Sequence, residues 1–218
     1  REKTITLAGL GGIGSYVGFL LSRVRPEQMY IYDDDKVDTS NLSGQLYSRT
    51  DIGNYKTNSL FNMMVRYSNY YALQATRMFT ANSTPTNIMI CGFDNMEARD
   101  VFYHLWKAHV NKKSEEERSK CLFIDGRLAA EEFQIFCITG DNKYAMDKYE
   151  KEFLFSDAQA EATICSYKQT SYCANMIATY MINIFVNFVA NECNPVMPRI
   201  IPFYTYYNAE LMYLKIEE

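Results

Sequence analysis

"LAGLGGIGSYVGFLLSRVRPEQMYIYDDDKVDTSNLSGQ" spans Leu7–Gln45, and its first third decides between fold classes. Gly9-Leu10-Gly11-Gly12-Ile13-Gly14 satisfies G-x-G-x-x-G. The apolar run Thr4–Ala8 before it reads as a strand, and Gly14–Arg23 after it reads as a helix stopped before Pro26. Gly9, Gly11, Gly12 and Gly14 let the backbone turn tightly and approach a phosphate, while the helix N-terminus adds N–H donors and positive dipole. Asp33 follows Gly14 by 19 residues, at the end of a second strand, Met29–Tyr32. A carboxylate there accepts from both hydroxyls of a ribose. Strand, loop, helix and acid in register point to an adenine nucleotide rather than a bare glycine turn. The loop alone does not separate NAD from ATP.

Working outward, strands and helices alternate. Lys56–Asn69 reads as a helix, Ala72–Phe79 and Asn87–Cys91 as strands, Met96–Val110 as a helix, and Leu122–Asp125 and Phe133–Thr139 as strands. Residues 141–162 are polar, Tyr-rich and weakly periodic, which predicts a loop crossing the surface. A long helix, Tyr172–Ala190, follows. Phe203–Tyr207 and Glu210–Lys215 read as a hairpin turning at Asn208-Ala209. The charge run "NKKSEEERSK", Asn111–Lys120, reads as a solvated loop. This order predicts an α/β fold: one Rossmann-like domain over residues 1–218, with a mostly parallel doubly wound sheet and helices on both faces.

Composition narrows the function. The 218 residues carry 22 basic and 26 acidic side chains, a net charge of −4 that argues against nucleic acid as a partner. The six cysteines (91, 121, 137, 165, 173 and 193) include no C-x-x-C pair, so a zinc knuckle is not expected. In a chain able to build a sizeable core they read as reduced thiols, which together with the lack of a signal peptide predicts a cytoplasmic protein. Arg1 stands directly before a strand, as expected of a chain lacking an N-terminal segment. Tyr172–Ala190 is apolar enough to imitate a membrane span. However, Asn175, Thr179, Asn183 and Asn187 recur every four residues as one polar stripe, predicting a helix in the core or at a subunit contact instead. The two histidines, His104 and His109, lie away from every motif and read as helix-surface or packing residues.

Two blocks carry a family resemblance. "YDDDKVDTSNLSGQLYSRTDIGNYKTNSL" (Tyr32–Leu60) resembles the segment that marks the ThiF/MoeB and ubiquitin-activating adenylyltransferase family. That pattern is Asp-x-Asp-x-Val-x-x-Ser-Asn-Leu-x-Arg-Gln, with Gly and Lys beyond; here Asp33, Asp35, Val37, Ser40, Asn41, Leu42, Gln45, Gly53 and Lys56 match it. "CGFDNMEARDVF" resembles the family's Asp-Asn-x-x-x-Arg element through Asp94, Asn95 and Arg99. Order and spacing hold to about residue 135 and only loosely beyond.

The resemblance implies a ThiF/MoeB-type fold and ATP-dependent adenylation of a carboxylate. The substrate would be the C-terminus of a small ubiquitin-like or sulfur-carrier protein, or a peptide, and the assembly a symmetric homodimer. Gly9, Gly11, Gly12, Gly14, Asp33, Asp35, Asn41, Lys56 and Asn95 would hold ATP. Lys56 would act as a point charge on the phosphates, Asn41 and Gln45 would orient them, and Asp94 would hold Mg²⁺. No strong base is needed, because a substrate carboxylate is already ionised near neutral pH. One position departs: Gly44 stands where the family has an arginine. Arg49 reaching back, or a residue of a partner subunit, would restore that cation. Otherwise the chain is a non-catalytic nucleotide-binding module. An NAD(P)-dependent oxidoreductase is the third reading, disfavoured because Asn41, Lys56 and the second block have no role in hydride transfer. Some relatives carry a cysteine past the crossover loop that takes the acyl group as a thioester or persulfide. Cys165 occupies that place, with Lys168 near enough to lower its pKa; the competing reading is a buried apolar residue. Asp34, Asp38 and Asp51 read as loop-solvating or capping residues.

Overall fold

The protein is described from a computed structural model over residues 3–155, 170–193 and 195–218. Its centre is β1 (Thr4–Ala8), whose Ile5, Leu7 and Ala8 have no exposed surface. Such a run, apolar on both faces, is what an interior parallel strand requires. Helix α1 (Gly12–Val24) starts at the glycine turn and ends at Arg25, left-handed at φ 60°, whose N–H caps Leu21 before Pro26 stops the helix. Then follow β2 (Gln28–Tyr32), α2 (Lys56–Ser68), β3 (Leu73–Ala75), β4 (Ile88–Cys91), α3 (Met96–Asn111), α4 (Glu115–Arg118), β5 (Leu122–Ala129), β6 (Glu132–Thr139), α5 (Lys143–Glu152), α6 (Ser171–Asn191), β7 (Tyr204–Asn208) and β8 (Tyr213–Glu217).

All eight strands form one sheet in the order β3-β2-β1-β4-β5-β6-β7-β8. From β3 to β5 the neighbours run parallel; β5 to β8 form an antiparallel meander. The chain leaves β1 to one side for β2 and returns to the other for β4, so the strand order reverses between β1 and β4. A crevice opens at such a reversal, beyond the C-terminal strand ends. One apolar cluster joins α1, α2 and α6 to the sheet through Val17, Leu21, Leu60, Met181 and Phe185. The other, on the opposite face, sets Phe102, Tyr103 and Trp106 of α3 and Tyr149 of α5 against Phe123 and Phe136.

Several boundaries differ from the sequence reading. Residues 141–162 are not a loop throughout: α5 occupies Lys143–Glu152, capped by Asn142, whose side chain accepts the N–H of Ala145. Its buried face is only Ala145, Met146 and Tyr149, too narrow to register as a period in a Tyr- and Lys-rich segment. Within the charge run, Ser114 and Glu117 form a capping box that starts α4. β3 is three residues long rather than Ala72–Phe79, and β5 continues past Asp125 to Ala129. The terminal hairpin turns over residues 209–212, with Met212 at φ 49°, rather than at Asn208-Ala209. Asp38 is a cap, as expected: it accepts from Ser40 at the start of a 3-10 turn, Thr39–Ser43.

Helix α6 is long and apolar enough to cross a membrane by length and composition, and half of that window is buried. Its Ile177, Met181, Phe185 and Phe188 pack into the core. Asn175, Thr179 and Asn183 of the polar stripe are exposed, and Asn187 donates to the carbonyl of Ile200 at 3.1 Å.

The β1–α1 turn is the tightest place in the sheet. Gly9 holds φ +79°, and a Cβ on Gly14 would lie 1.8 Å from the Gly9 carbonyl oxygen. Gly14→Ala therefore forces two backbone segments apart. It should lower unfolding free energy by at least about 2 kcal/mol in urea denaturation.

Candidate nucleotide site

A cavity of about 810 Å³ occupies the crevice above β1, β2, β4 and β5. Gly9, Gly11 and Gly12 form one wall. Gly11 is the N-cap of α1 and brings no side-chain acceptor, and no acid stands in the first turn. The leading N–H groups of a 13-residue helix thus face the cavity with the positive end of its dipole. Above them the Gln45 side chain lines the cavity, with its Oε1 buried and without a hydrogen-bond partner among the described residues. An open helix terminus and an orphaned polar atom in one wall suit an anionic, hydrogen-bonding ligand. Tyr32, Met78 and Phe79 supply an apolar face beside Asp33, fit for a planar base.

Asp33 is oriented by backbone. Its Oδ2 accepts from Leu10 N at 2.7 Å and its Oδ1 from Asp35 N at 2.8 Å. Burial pushes its pKa up, opposed by the charge of Lys56 and by those two N–H groups. Lys56, buried at the first turn of α2, bonds Asp35 Oδ2 at 2.6 Å, while Asp35 itself is largely exposed. Oxygens of Asp33, Asp34 and Asp35 lie within 4.8 Å of one another, a cluster explained by this loop's own bonds. Across the cavity, Asn95 caps α3 by accepting from Ala98 N at 2.8 Å and donates to Asp94 Oδ1 at 3.3 Å. The exposed Asp94 carboxylate is therefore not the helix cap. With water and phosphate oxygens completing the shell, one such carboxylate is enough for Mg²⁺.

The floor is ionic. Asp125, with no exposed surface, accepts from Arg99 Nε at 3.0 Å, Arg127 Nε at 2.8 Å and the Tyr149 hydroxyl at 2.9 Å. Burial alone would raise its pKa; Arg99 and Arg127 overcome that and hold it below the ordinary carboxylate value.

The profile of the ThiF family matches residues 1–217. The chain belongs to the ThiF family. Among curated relatives it is similar to ubiquitin-like modifier-activating enzyme 5 of Caenorhabditis elegans, 36% identical over 53 residues that make 24% of this chain and 13% of that protein. The Drosophila willistoni protein of the same name is 24% identical over 117 residues, covering 45% of this chain and 29% of its own length. Among solved structures, Escherichia coli MccB with ATP superposes at TM-score 0.73 with 13% identity, covering 99% of this chain and 63% of MccB. PaaA superposes at TM-score 0.72 with 12% identity, covering 99% of this chain and 64% of PaaA. At these identities the solved structures establish the fold. The ThiF chain described here spans under two thirds of their length.

Nine sequence-predicted residues line the one cavity: Gly9, Gly11, Gly12, Asp33, Asp35, Gln45, Lys56, Asp94 and Asn95. Gly14 lies behind it, packed on the Gly9 carbonyl. Asn41 does not line it; its Oδ1 accepts from Asp38 N at 2.9 Å and closes a capping box. Arg49 is exposed on a separate 3-10 turn, Arg49–Asp51, and does not line it either. Gly44, buried at the end of the first 3-10 turn, presents no side chain, so the expected arginine is not replaced by Arg49 in this conformation. Cys165 falls outside the described residues; the five described cysteines are all free thiols. Sequence reasoning missed Arg127, Met78, Phe79 and Tyr206 as cavity residues. Arg127 lies past the expected end of β5, and Tyr206 comes from a strand distant in sequence.

Asp125→Asn leaves the buried Arg99 and the half-buried Arg127 guanidiniums with no counter-charge and should cost about 3 kcal/mol or more at neutral pH. Because the folded pKa of Asp125 is lowered, its stabilisation is present above the unfolded carboxylate value and lost as pH falls through the folded one. Urea melts from about pH 5 down to about pH 3 should therefore show a shallower acid limb in the variant than in the parent.

Proposed function

We propose that this ThiF-family chain adenylates a carboxylate at the C-terminus of a small ubiquitin-like or sulfur-carrier protein, or of a peptide, using ATP and Mg²⁺. The observation that carries the reading is the convergence, in one cavity, of an uncapped helix N-terminus, a buried lysine and an exposed carboxylate. The names of the relatives, ubiquitin-like modifier-activating enzymes, and a solved MccB structure containing ATP support it at the level of the family. Bound ATP supplies the electrophile: a carboxylate oxygen bonds to the α-phosphorus as the bond to the bridging oxygen breaks, and pyrophosphate leaves with the electron pair.

The chain's own groups prepare that reaction. Asp33, fixed by two N–H groups, accepts from the ribose. Gly9–Gly12 give close approach to phosphate, and the α1 terminus donates to it. Lys56 places its charge on the phosphates, its bond to Asp35 holding it in one rotamer until then. Gln45 turns its free Oε1 and its amide to orient the ligand. Asp94 would hold Mg²⁺, which would screen the charge on the departing pyrophosphate.

ATP–pyrophosphate exchange tests the proposal. The parent chain should exchange label when the acyl substrate is present. Lys56→Met should lower the rate by about a hundredfold or more. Asp94→Asn should abolish exchange yet leave Mg²⁺-free ATP binding intact. ATP should also bind more tightly than NAD in calorimetry; the reverse order would favour the oxidoreductase. A second reading, a nucleotide-binding module without catalysis, is favoured by Gly44 and by the engagement of all three cavity cations with carboxylates. ATP binding without exchange would support it.

We further propose a two-fold dimer with the exposed stripe Asn175, Thr179 and Asn183 of α6 at or beside the contact, since such a patch must complement itself. Static light scattering at micromolar concentration should give the mass of two chains; a monomer refutes this.

A further inference from the structure

Fixed charge is unevenly distributed in the cavity. Around the glycine turn negative groups prevail, with Asp33, Asp34, Asp35 and Asp94 against Lys56. On the β5 side two cations stand with one buried carboxylate, and farther along, on β6, the exposed Glu132 lines the cavity and accepts from Asn208 Nδ2. Arg99 and Arg127 share the single carboxylate of Asp125. Tyr149 donates to that carboxylate as a neutral phenol, and Cys91 beside it stays a protonated thiol because burial pushes its pKa up. Taken by itself, the cluster of Arg99, Arg127 and Asp125 carries one positive charge, and both arginines line the cavity.

The two arginines differ in what they have left to give. Arg99 uses Nε on Asp125, Nη2 on the carbonyls of Phe93 and Gly126, and Nη1 on the Met96 sulfur. Arg127 uses Nε on Asp125 and Nη2 on the Tyr149 hydroxyl and the Phe153 carbonyl. Its Nη1 makes no hydrogen bond among the described residues. The guanidinium is also held over the Phe136 ring, 4.6 Å from the centroid, so its plane is set before a ligand arrives. An oriented, partly desolvated arginine with donors to spare matches a carboxylate.

Position says which anion. β5 is two strands from β1 in the sheet, about 10 Å at ordinary strand spacing. Arg127 therefore stands apart from the glycine turn, at the start of a second half of the cavity. That half is walled by Leu128, Glu132, Phe133, Gln134 and Tyr206 of β5, β6 and β7, and the Glu132 carboxylate is engaged by Asn208 Nδ2. A carboxylate brought beside a polyphosphate meets like-charge repulsion, and an oriented cation on the approach side offsets it.

We propose that Arg127 is the receptor for the carboxylate of the acyl substrate, with the chain behind that carboxylate lying along the β5–β7 wall. This rests on the adenylation reading and adds to it the residue that selects a free C-terminus. It distinguishes a chain-terminal carboxylate from the same chain ending in an amide, which carries no charge for Arg127 to grip.

The test uses the isotope-labelled full chain saturated with AMPCPP, whose α–β linkage cannot be cleaved, titrated with N-acetylglycylglycine or with its C-terminal amide. The acid should shift the Arg127 Nε–H and Leu128 amide resonances and bind about tenfold more tightly than the amide. Arg127→Gln should erase the preference for the acid and Arg127→Lys should keep part of it. Equal binding of acid and amide to the parent chain, no binding of the acid, or a preference surviving in Arg127→Gln would each overturn the proposal. So would pyrophosphate, and not the acid, shifting Arg127, which would make it a phosphate cation. The acid–amide comparison on the parent chain decides the matter even if the glutamine variant does not fold. Calorimetry with AMPCPP alone reports the nucleotide site separately: if it binds and the acid preference is missing, only this inference falls; if it does not bind, the adenylation reading falls and takes the inference with it.

Discussion

Three backbone segments meet with no side chain between them: the Gly9 turn after β1, the first residues of α1, and Gly92 after β4. A Cβ on Gly92 would stand 2.7 Å from the Gly9 carbonyl oxygen, and one on Gly14 closer still. This contact draws the ends of the two central strands together at the reversal of strand order. It also aims the start of α1 into the crevice and leaves its N–H groups without a cap. The cavity, the anion-attracting dipole and the placement of Asp33 all follow from it. Leu10, whose N–H orients Asp33, sits inside the turn.

A second constraint is electrostatic. Asp125 has no access to water, and an isolated carboxylate there would cost several kcal/mol. Arg99 from α3, Arg127 from β5 and Tyr149 from α5 share the compensation. The network ties the helix after β4, the fifth strand and the helix after β6 into one unit beneath the cavity. Replacing it with apolar packing would serve stability as well. Such packing would not leave a cation at the cavity wall.

The Lys56–Asp35 pair works differently. Lys56 is buried where Asp35 is exposed, so the lysine is held by a partner that water already competes for. On the proposed reading a ligand phosphate would take that lysine at little cost, and Asp35 would return to solvent. Asp33, by contrast, is committed through two backbone N–H groups and its role is positional. Adjacent acids in one loop thus divide into a fixed acceptor and a releasable counter-ion.

From sequence alone came the glycine turn, the succession of strands and helices along the chain up to β5, and nine of the residues that line the cavity. These rest on local rules: a glycine where the backbone must pass closely, an apolar run for a buried strand, an acid at a strand end. The motif residues Asp33, Lys56, Asp94 and Asn95 were legible because each stands at the start of a helix or the end of a strand, whose direction local pattern predicts. Asn41 matched a motif, yet its side chain is used in a capping box with Asp38, a local competition that a motif does not register. Helix α5 was missed because only three of its ten residues are buried and the rest are polar. Tertiary structure alone decided the β5 wall. The pairing of β5 with β6 and β7 joins Arg127 to Tyr206 across 79 positions of chain, and the cluster's one positive charge exists only because Arg99 and Arg127 converge on one buried carboxylate. Long-range pairing sets those distances, and no residue's immediate neighbours in sequence encode it.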